Sequence, residues 1–192
     1  MNERQLEIDV FLKKIANSEE LKKYPYISEE YVYDLLENYG FTEEELKRGK
    51  NYKHYFEYWE SNFQDKRNVR VFCSPQQKSF LQFHNTKSRD AEYMKLYVSL
   101  DSDNIFAGVD SIFRFLESQN IEHASKVSSK TRSDSIVLRI RKQEDVKKVL
   151  DFINTNPLLS TNCHPTNPFL MRHGVVGMAY DNNISQINQQ QI

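Results

Sequence analysis

Two cysteines, five glycines, five prolines and one tryptophan in 192 residues leave several chemistries without material. Cys73 and Cys163 lie far apart and form no CxxC pair, so a disulfide framework is not expected and a reduced cytoplasmic setting is the default. The few glycines leave little room for a glycine-rich phosphate loop, and no GxSxG, P-loop or dinucleotide fingerprint occurs. No apolar run approaches the ~20 residues of a membrane span, so no membrane partner is expected. Met1 to Val10 is charged and lacks the apolar segment of a signal peptide; secretion by a leaderless route would look the same. Charge of one sign is missing too. Lys+Arg is 26 and Asp+Glu is 27, a balance that argues against binding nucleic acid through bulk charge. His54, His84, His123, His164 and His173 show no HExxH or i,i+4 pairing, and Cys163-His164 are adjacent, so neither a metal nor another cofactor is expected.

Large aromatics are present in number: 11 Tyr and 12 Phe. They can fill a core in a chain whose mean hydropathy is only -0.72. The first third reads as helix. Ile8, Phe11, Leu12 and Ile15 recur at helical spacing. Ser18 and Ser28 are positioned to cap the next two helices, Gly40 suits a left-handed helix stop, and Thr42-Glu43-Glu44-Glu45 forms a capping box. Tyr52, Tyr55, Phe56, Trp59 and Phe63 form a helical stripe expected to face the core.

The pattern changes near Asn68. Val69 to Phe72, Phe80 to Phe83 and Tyr93 to Leu100 read as strands, and in the third Met94, Leu96, Val98 and Leu100 alternate with Tyr93, Lys95, Tyr97 and Ser99. A helix capped by Asp101 or Asp103, strands at Glu122–Ser128 and Ser135–Arg141, and a helix at Gln143–Asn154 ended by Asn156-Pro157 follow. The order β-β-β-α-β-β-α, then a loop-rich tail, predicts an α+β fold: a helical N-terminal segment (1–66), then a mostly antiparallel sheet with helices on one face (67–181). Residues 182–192, rich in Asn and Gln, are expected to be a loose tail.

Chemistry is concentrated on one predicted strand face. Lys95, Tyr97 and Ser99 share a side whose opposite is apolar; Lys126, Arg132 and Asp134 follow on the approach to the next strand. A solvated face alternates in the same way. Lysine in the middle of a covered strand, however, must lose its charge or find an anion.

The run Lys95-Leu96-Tyr97-Val98-Ser99, then Lys126, then Thr131-Arg132-Ser133-Asp134-Ser135 before an apolar strand, resembles the HopA-type family, named from a plant-pathogen type III effector. Pro168-Phe169-Leu170 with Gly174-Val175-Val176-Gly177-Met178-Ala179 is similar to its closing motif. The resemblance spans roughly Glu92 to Asp181. Members also serve as lyase components in class V lanthipeptide biosynthesis and are distantly similar to phosphothreonine lyase effectors. The resemblance implies β-elimination of phosphate from phosphoserine or phosphothreonine, with a phosphorylated peptide or protein as substrate and a kinase as possible partner. It implies Lys126 as base, Arg132 and Lys95 on the phosphate, Asp134 orienting Arg132 or Lys126, and Tyr97 where the phosphothreonine lyases carry a histidine. With a reference pKa of ~10, a tyrosine is the poorer donor at neutral pH. Ser99, Arg172 and His173 are further substrate-binding candidates, with His164 behind them.

Two other readings stay open. One is a non-catalytic effector or mobile-element protein that binds a partner on a ferredoxin-like scaffold, a reading favoured by the absence of arginine from residues 182–192, where the family pattern places one. The other is an RNA-binding module, disfavoured because Val137, Arg139 and Arg141 occupy the strand face where such modules carry aromatics.

Overall fold

The computed structural model describes residues 2–23, 26–49, 52–64, 69–76, 78–85 and 94–180. The expected loose tail at 182–192, the boundary at 66/67 and Tyr93 lie outside the described residues. Five helices open the chain: α1 (Glu3–Ala16), α2 (Glu19–Lys23), α3 (Glu29–Glu37), α4 (Glu43–Arg48) and α5 (Tyr55–Phe63). Their starts are fixed by side-chain oxygens that accept from otherwise unpaired backbone N–H groups. Ser28 accepts from Tyr31 N at 3.2 Å, and Thr42 and Glu45 exchange the two bonds of a capping box. Gly40 adopts φ +83, and a Cβ there would stand 2.6 Å from the Pro165 carbonyl oxygen, so both conformation and space call for glycine.

The remainder builds one sheet from β1 (Arg70–Cys73), β2 (Phe80–His84), β3 (Met94–Val98), β4 (Ala124–Ser128), β5 (Ile136–Ile140), β6 (Met171–His173) and β7 (Val176–Tyr180), with α6 (Ile105–Ser118) after β3, and α7 (Gln143–Thr155) and α8 (Pro157–Asn162) after β5. The strand order is β1-β2-β4-β5-β3-β7-β6, and every neighbouring pair is antiparallel. Within it, β3-α6-β4-β5-α7-β7 has the split βαβ connectivity of ferredoxin-like folds, flanked by the β1–β2 hairpin on one side and β6 on the other. The fold is α+β, as the periodicity predicts.

Three local expectations are corrected. The stretch after Asn156-Pro157 is not loop-rich: Asn156 ends α7 and its side chain caps α8, accepting from Leu158 N and Leu159 N, with Pro157 in the first turn. The stretch from Met171 to Tyr180, also expected within the loop-rich tail, is a hairpin. Gly174, at φ +60, makes the turn and Gly177 already lies in β7. Asp101 does not cap α6 directly; its Oδ1 accepts from Asp103 N and Asn104 N in the turn before it.

One face of the sheet is the core. Leu81 and Phe83, Leu96 and Val98, Val127, Leu138 and Ile140 alternate inward against Val109, Ile112 and Leu116 of α6 and Val149 and Ile153 of α7. The aromatic stripe of α5 joins them through Phe56, Trp59 and Phe63, with the Phe63 and Phe83 rings 6.0 Å apart edge to face. Among the described residues no helix is long and apolar enough to cross a membrane.

Trp59 is fully buried, yet its indole Nε1 has no hydrogen-bond partner among the described residues. Trp59→Ala is therefore expected to cost about 3–5 kcal/mol in urea unfolding. Trp59→Phe should cost distinctly less, because no hydrogen bond is lost with the indole.

Candidate functional site

Because side chains alternate along a strand, the residues that flank the inward ones emerge on the other face. Gln82 of β2, Lys126 of β4, Arg139 of β5, and Lys95 and Tyr97 of β3 line a cleft of about 320 Å³ there, with Asp134 also on its wall. The register fixes their proximity. Lys95 pairs directly with Arg139, Tyr97 with Val137, and Lys126 with both Val137 and Gln82. Two cations thus stand opposite each other on adjacent strands, with a third one step along the diagonal. Like charges so placed disfavour a sheet. The field of Lys95 and Arg139 reaches Lys126, whose pKa both lower. An arrangement of this kind is suited to a bound anion.

Lys126 is half-buried, with its Nζ 4.1 Å from the centroid of the Phe80 ring. Burial draws its pKa below the ordinary lysine value; Arg132, Lys95 and Arg139 pull the same way, and Asp134 opposes them. The result is an amine that gives up its proton more readily than a surface lysine.

Arg132 occupies the loop before β5 and is buried. Its guanidinium meets Glu37 Oε1 of α3 at 2.7 Å, donates through NH2 to Tyr33 Oη at 3.1 Å and to Asp134 Oδ2 at 3.2 Å, and bonds Asp134 Oδ1 through Nε. It also lies over Phe80, 4.9 Å from the ring centroid. In this structure Arg132 therefore faces carboxylates rather than the cleft, and it holds Asp134 at the cleft wall. Around this cluster a second cleft of about 270 Å³ runs between Tyr33, Leu36, Tyr97, Asn167 and Leu170. Tyr97 and Asp134 border both clefts.

The other expected site residues lie apart from this group. Ser99 follows β3 but is fully buried, and its Oγ lacks a partner among the described residues. Arg172 is on β6, where Glu7 of α1 accepts from it at 2.9 Å and the Thr166 carbonyl at 2.6 Å. His173 is exposed beside α7, with Nδ1 3.3 Å from Asn154 Nδ2. His164 contacts Asp101 and Gly40 and lines neither cleft. The sequence reading overlooked Arg139 as a cleft residue. The available hint was a lone cation within the otherwise apolar Ile-Val-Leu-Arg-Ile, without the alternation that singled out Lys95. Gln82, Tyr33 and Glu37 carried no comparable signal.

No family model matches the chain, and no curated protein matches it. Its fold is similar to two solved structures. One is the effector protein from Pseudomonas syringae pv. syringae strain 61 (TM-score 0.53, 11% identity, covering 90% of this chain and 76% of that one). The other is the effector protein from Pseudomonas syringae pv. tomato strain DC3000 (TM-score 0.50, 12% identity, covering 93% and 79%). At such identities the likeness establishes the fold, which is that of these effector structures.

Two stability measurements test the roles of the cations. Arg132→Met strips Glu37 and Asp134 of a buried partner and is expected to cost about 3–5 kcal/mol in denaturant unfolding. Lys126→Met should instead stabilise at neutral pH. Below its lowered folded pKa, the folded and unfolded chains both carry the ammonium and the fold bears the cost of burying it. As pH rises through that value toward 10.5, the folded state releases its proton first and the cost fades. The gain from Lys126→Met should therefore shrink in alkaline buffer, and urea melts across pH would show it.

Proposed function

We propose that this protein is an effector-like phosphoserine/phosphothreonine lyase that removes phosphate from a protein or precursor peptide by β-elimination. The observation that carries the reading is the half-buried Lys126 with a lowered pKa, in one cleft with Lys95 and Arg139. Lys126 in its deprotonated form, which the lowered pKa makes more accessible than in a surface lysine, takes the Cα proton of the phosphorylated residue. That C–H pair becomes the Cα=Cβ bond, the Cβ–O bond breaks, and phosphate departs with the electron pair. Tyr97, on the cleft's border, is the nearby donor that returns a proton to the leaving oxygen. The products are a dehydroamino acid and inorganic phosphate. No external oxidant or cofactor enters the balance.

The phosphomonoester carries about two negative charges at neutral pH, which suits a cleft lined, among the described residues, by Lys95, Lys126 and Arg139 with Asp134. Lys95 and Arg139 serve as the phosphate grip. Arg132 acts as the strut that holds Asp134, and Asp134 tempers the field at Lys126. Ser99, Arg172 and His173 have no part in the chemical step of this proposal. The HopA-type resemblance of the segment holding Lys95, Tyr97, Lys126 and Arg132 supports the same chemistry, and the structural neighbours are effector proteins, which agrees with an effector setting. A kinase acting on the same substrate would supply the phosphorylated residue.

The competing reading is a phosphopeptide-binding protein without catalysis. Its support is the ferredoxin-like connectivity, a scaffold common to enzymes and binding modules. Incubation with phosphothreonine and phosphoserine peptides, followed by mass spectrometry, separates the two. Loss of phosphoric acid that falls by roughly 10²–10⁴-fold in Lys126→Ala is expected. Tight, Lys95-dependent binding of intact phosphopeptide with no elimination would establish the binding protein instead.

A further inference from the structure

Away from the cleft, three side chains from distant parts of the chain turn one atom each toward a common point. Glu45 of α4, Asp101 after β3 and His164 after α8 place their ligand atoms within 4.8 Å of one another. His164 Nε2 is 3.2 Å from Asp101 Oδ2 and 3.8 Å from Glu45 Oε1. All three side chains are largely buried, between 15% and 21% exposed.

Each of these atoms is aimed by a partner outside the trio. Glu45 spends its Oε2 on the capping box, accepting from Thr42 N at 2.8 Å, which leaves Oε1 for the cluster. Asp101 spends its Oδ1 on Asp103 N, Asn104 N and Asn104 Nδ2, which leaves Oδ2. His164 Nδ1 lies 3.0 Å from the Gly40 carbonyl oxygen; a carbonyl only accepts, so Nδ1 carries the hydrogen and Nε2 is left for the cluster. The ring is further fixed by stacking on Phe41, with centroids 4.3 Å apart. A histidine whose second nitrogen donates to a backbone carbonyl is the usual outer-shell arrangement of a metal ligand.

The electron pairs make the case stronger. In the neutral ring, Nε2 turns a lone pair toward two carboxylate oxygens, and three electron-pair donors then face one another. A proton on Nε2 would satisfy Asp101 but reaches Glu45 poorly at 3.8 Å. A cation at the centre serves all three. Ligands about 2.1 Å from a tetrahedral zinc ion sit about 3.4 Å apart, a spacing that the 3.2 and 3.8 Å separations bracket.

We propose that Glu45 Oε1, Asp101 Oδ2 and His164 Nε2 bind one divalent transition-metal ion, with Zn²⁺ the best fit to one imidazole and two carboxylates. The ion would tie α4 to the loops that follow β3 and α8. The His164 backbone N–H already donates to the Ser99 carbonyl at 2.8 Å, so the tie falls next to the strand that carries Lys95 and Tyr97. The site stands independently of the lyase reading.

The test uses the full chain, stripped with EDTA, carrying Cys73→Ser to remove the exposed thiol, and titrated calorimetrically with ZnCl2 in phosphate-free buffer at neutral pH. Binding of one Zn²⁺ per chain with a rise in Tm is expected. His164→Gln and Glu45→Gln should each weaken it by at least roughly tenfold, the scale on which even outer-shell losses act. Glutamine at 45 still completes the capping box, so that variant keeps its helix. Absence of stoichiometric binding, or binding that both variants retain, would overturn the site. So would an imidazole NMR signal showing His164 doubly protonated at neutral pH and unmoved by Zn²⁺.

Discussion

Lys95 opposite Arg139, with Lys126 on the neighbouring strand, is a juxtaposition that a sheet adopts only against electrostatic resistance, and the rest of the molecule is arranged so that it persists. The resistance is overcome from behind. The inward residues of the same strands, Leu96, Val98, Leu138, Ile140 and Val127, are fully buried against α6 and α7. Burial of each such side chain contributes about 1.5–3 kcal/mol, so several of them together outweigh like charges placed across adjacent strands, where a pair is worth about 0.2–1 kcal/mol. Slipping any of these strands by one residue would relieve the charges, but it would turn the whole apolar set toward water. The core therefore holds the register, and the register holds the cations together.

From the side, the cations are held by carboxylates whose own positions come from the helical segment. Glu37 belongs to α3 and reaches Arg132; Arg132 fixes Asp134; Asp134 meets the field of Lys126. Glu7 of α1 similarly takes Arg172 on β6. The helices that open the chain thus do more than cover apolar surface. They supply counter-charges along one rim of the polar face, and with Tyr33 and Leu36 they wall the second cleft.

What the sequence disclosed followed the strength of its periodic signals. The body of β3 was legible because its polar and apolar residues alternate without a break, although the expected run to Leu100 overshoots the strand's end at Val98, and the Thr42 capping box was legible because both of its bonds use named residue types at fixed spacing. The β6–β7 hairpin was not legible. Met-Arg-His is too short to show a period, and β7 contains Gly177, whose lack of a Cβ makes room for Thr166 and Leu170. Arg139 was passed over because its strand reads as apolar, and its importance comes from lying across from Lys95, a relation that only pairing supplies. The convergence of Glu45, Asp101 and His164 was likewise invisible, since metal-ligand spacing in sequence presumes ligands on one local motif, and these come from three. The turn of Arg132 toward Glu37 depends on α3 folding back over the β4–β5 loop, which no local pattern encodes.

Among the described residues the sheet has two brief margins: β1 has four residues and β6 three. An outermost strand offers unpaired N–H and C=O groups to any extended chain that meets it, and long flat ones seed aggregates. Here the exposed Arg70 on one side and the three-residue length on the other leave little template for such growth. The described seven-stranded antiparallel sheet therefore presents few consecutive backbone groups at its margins to an edge-on neighbour.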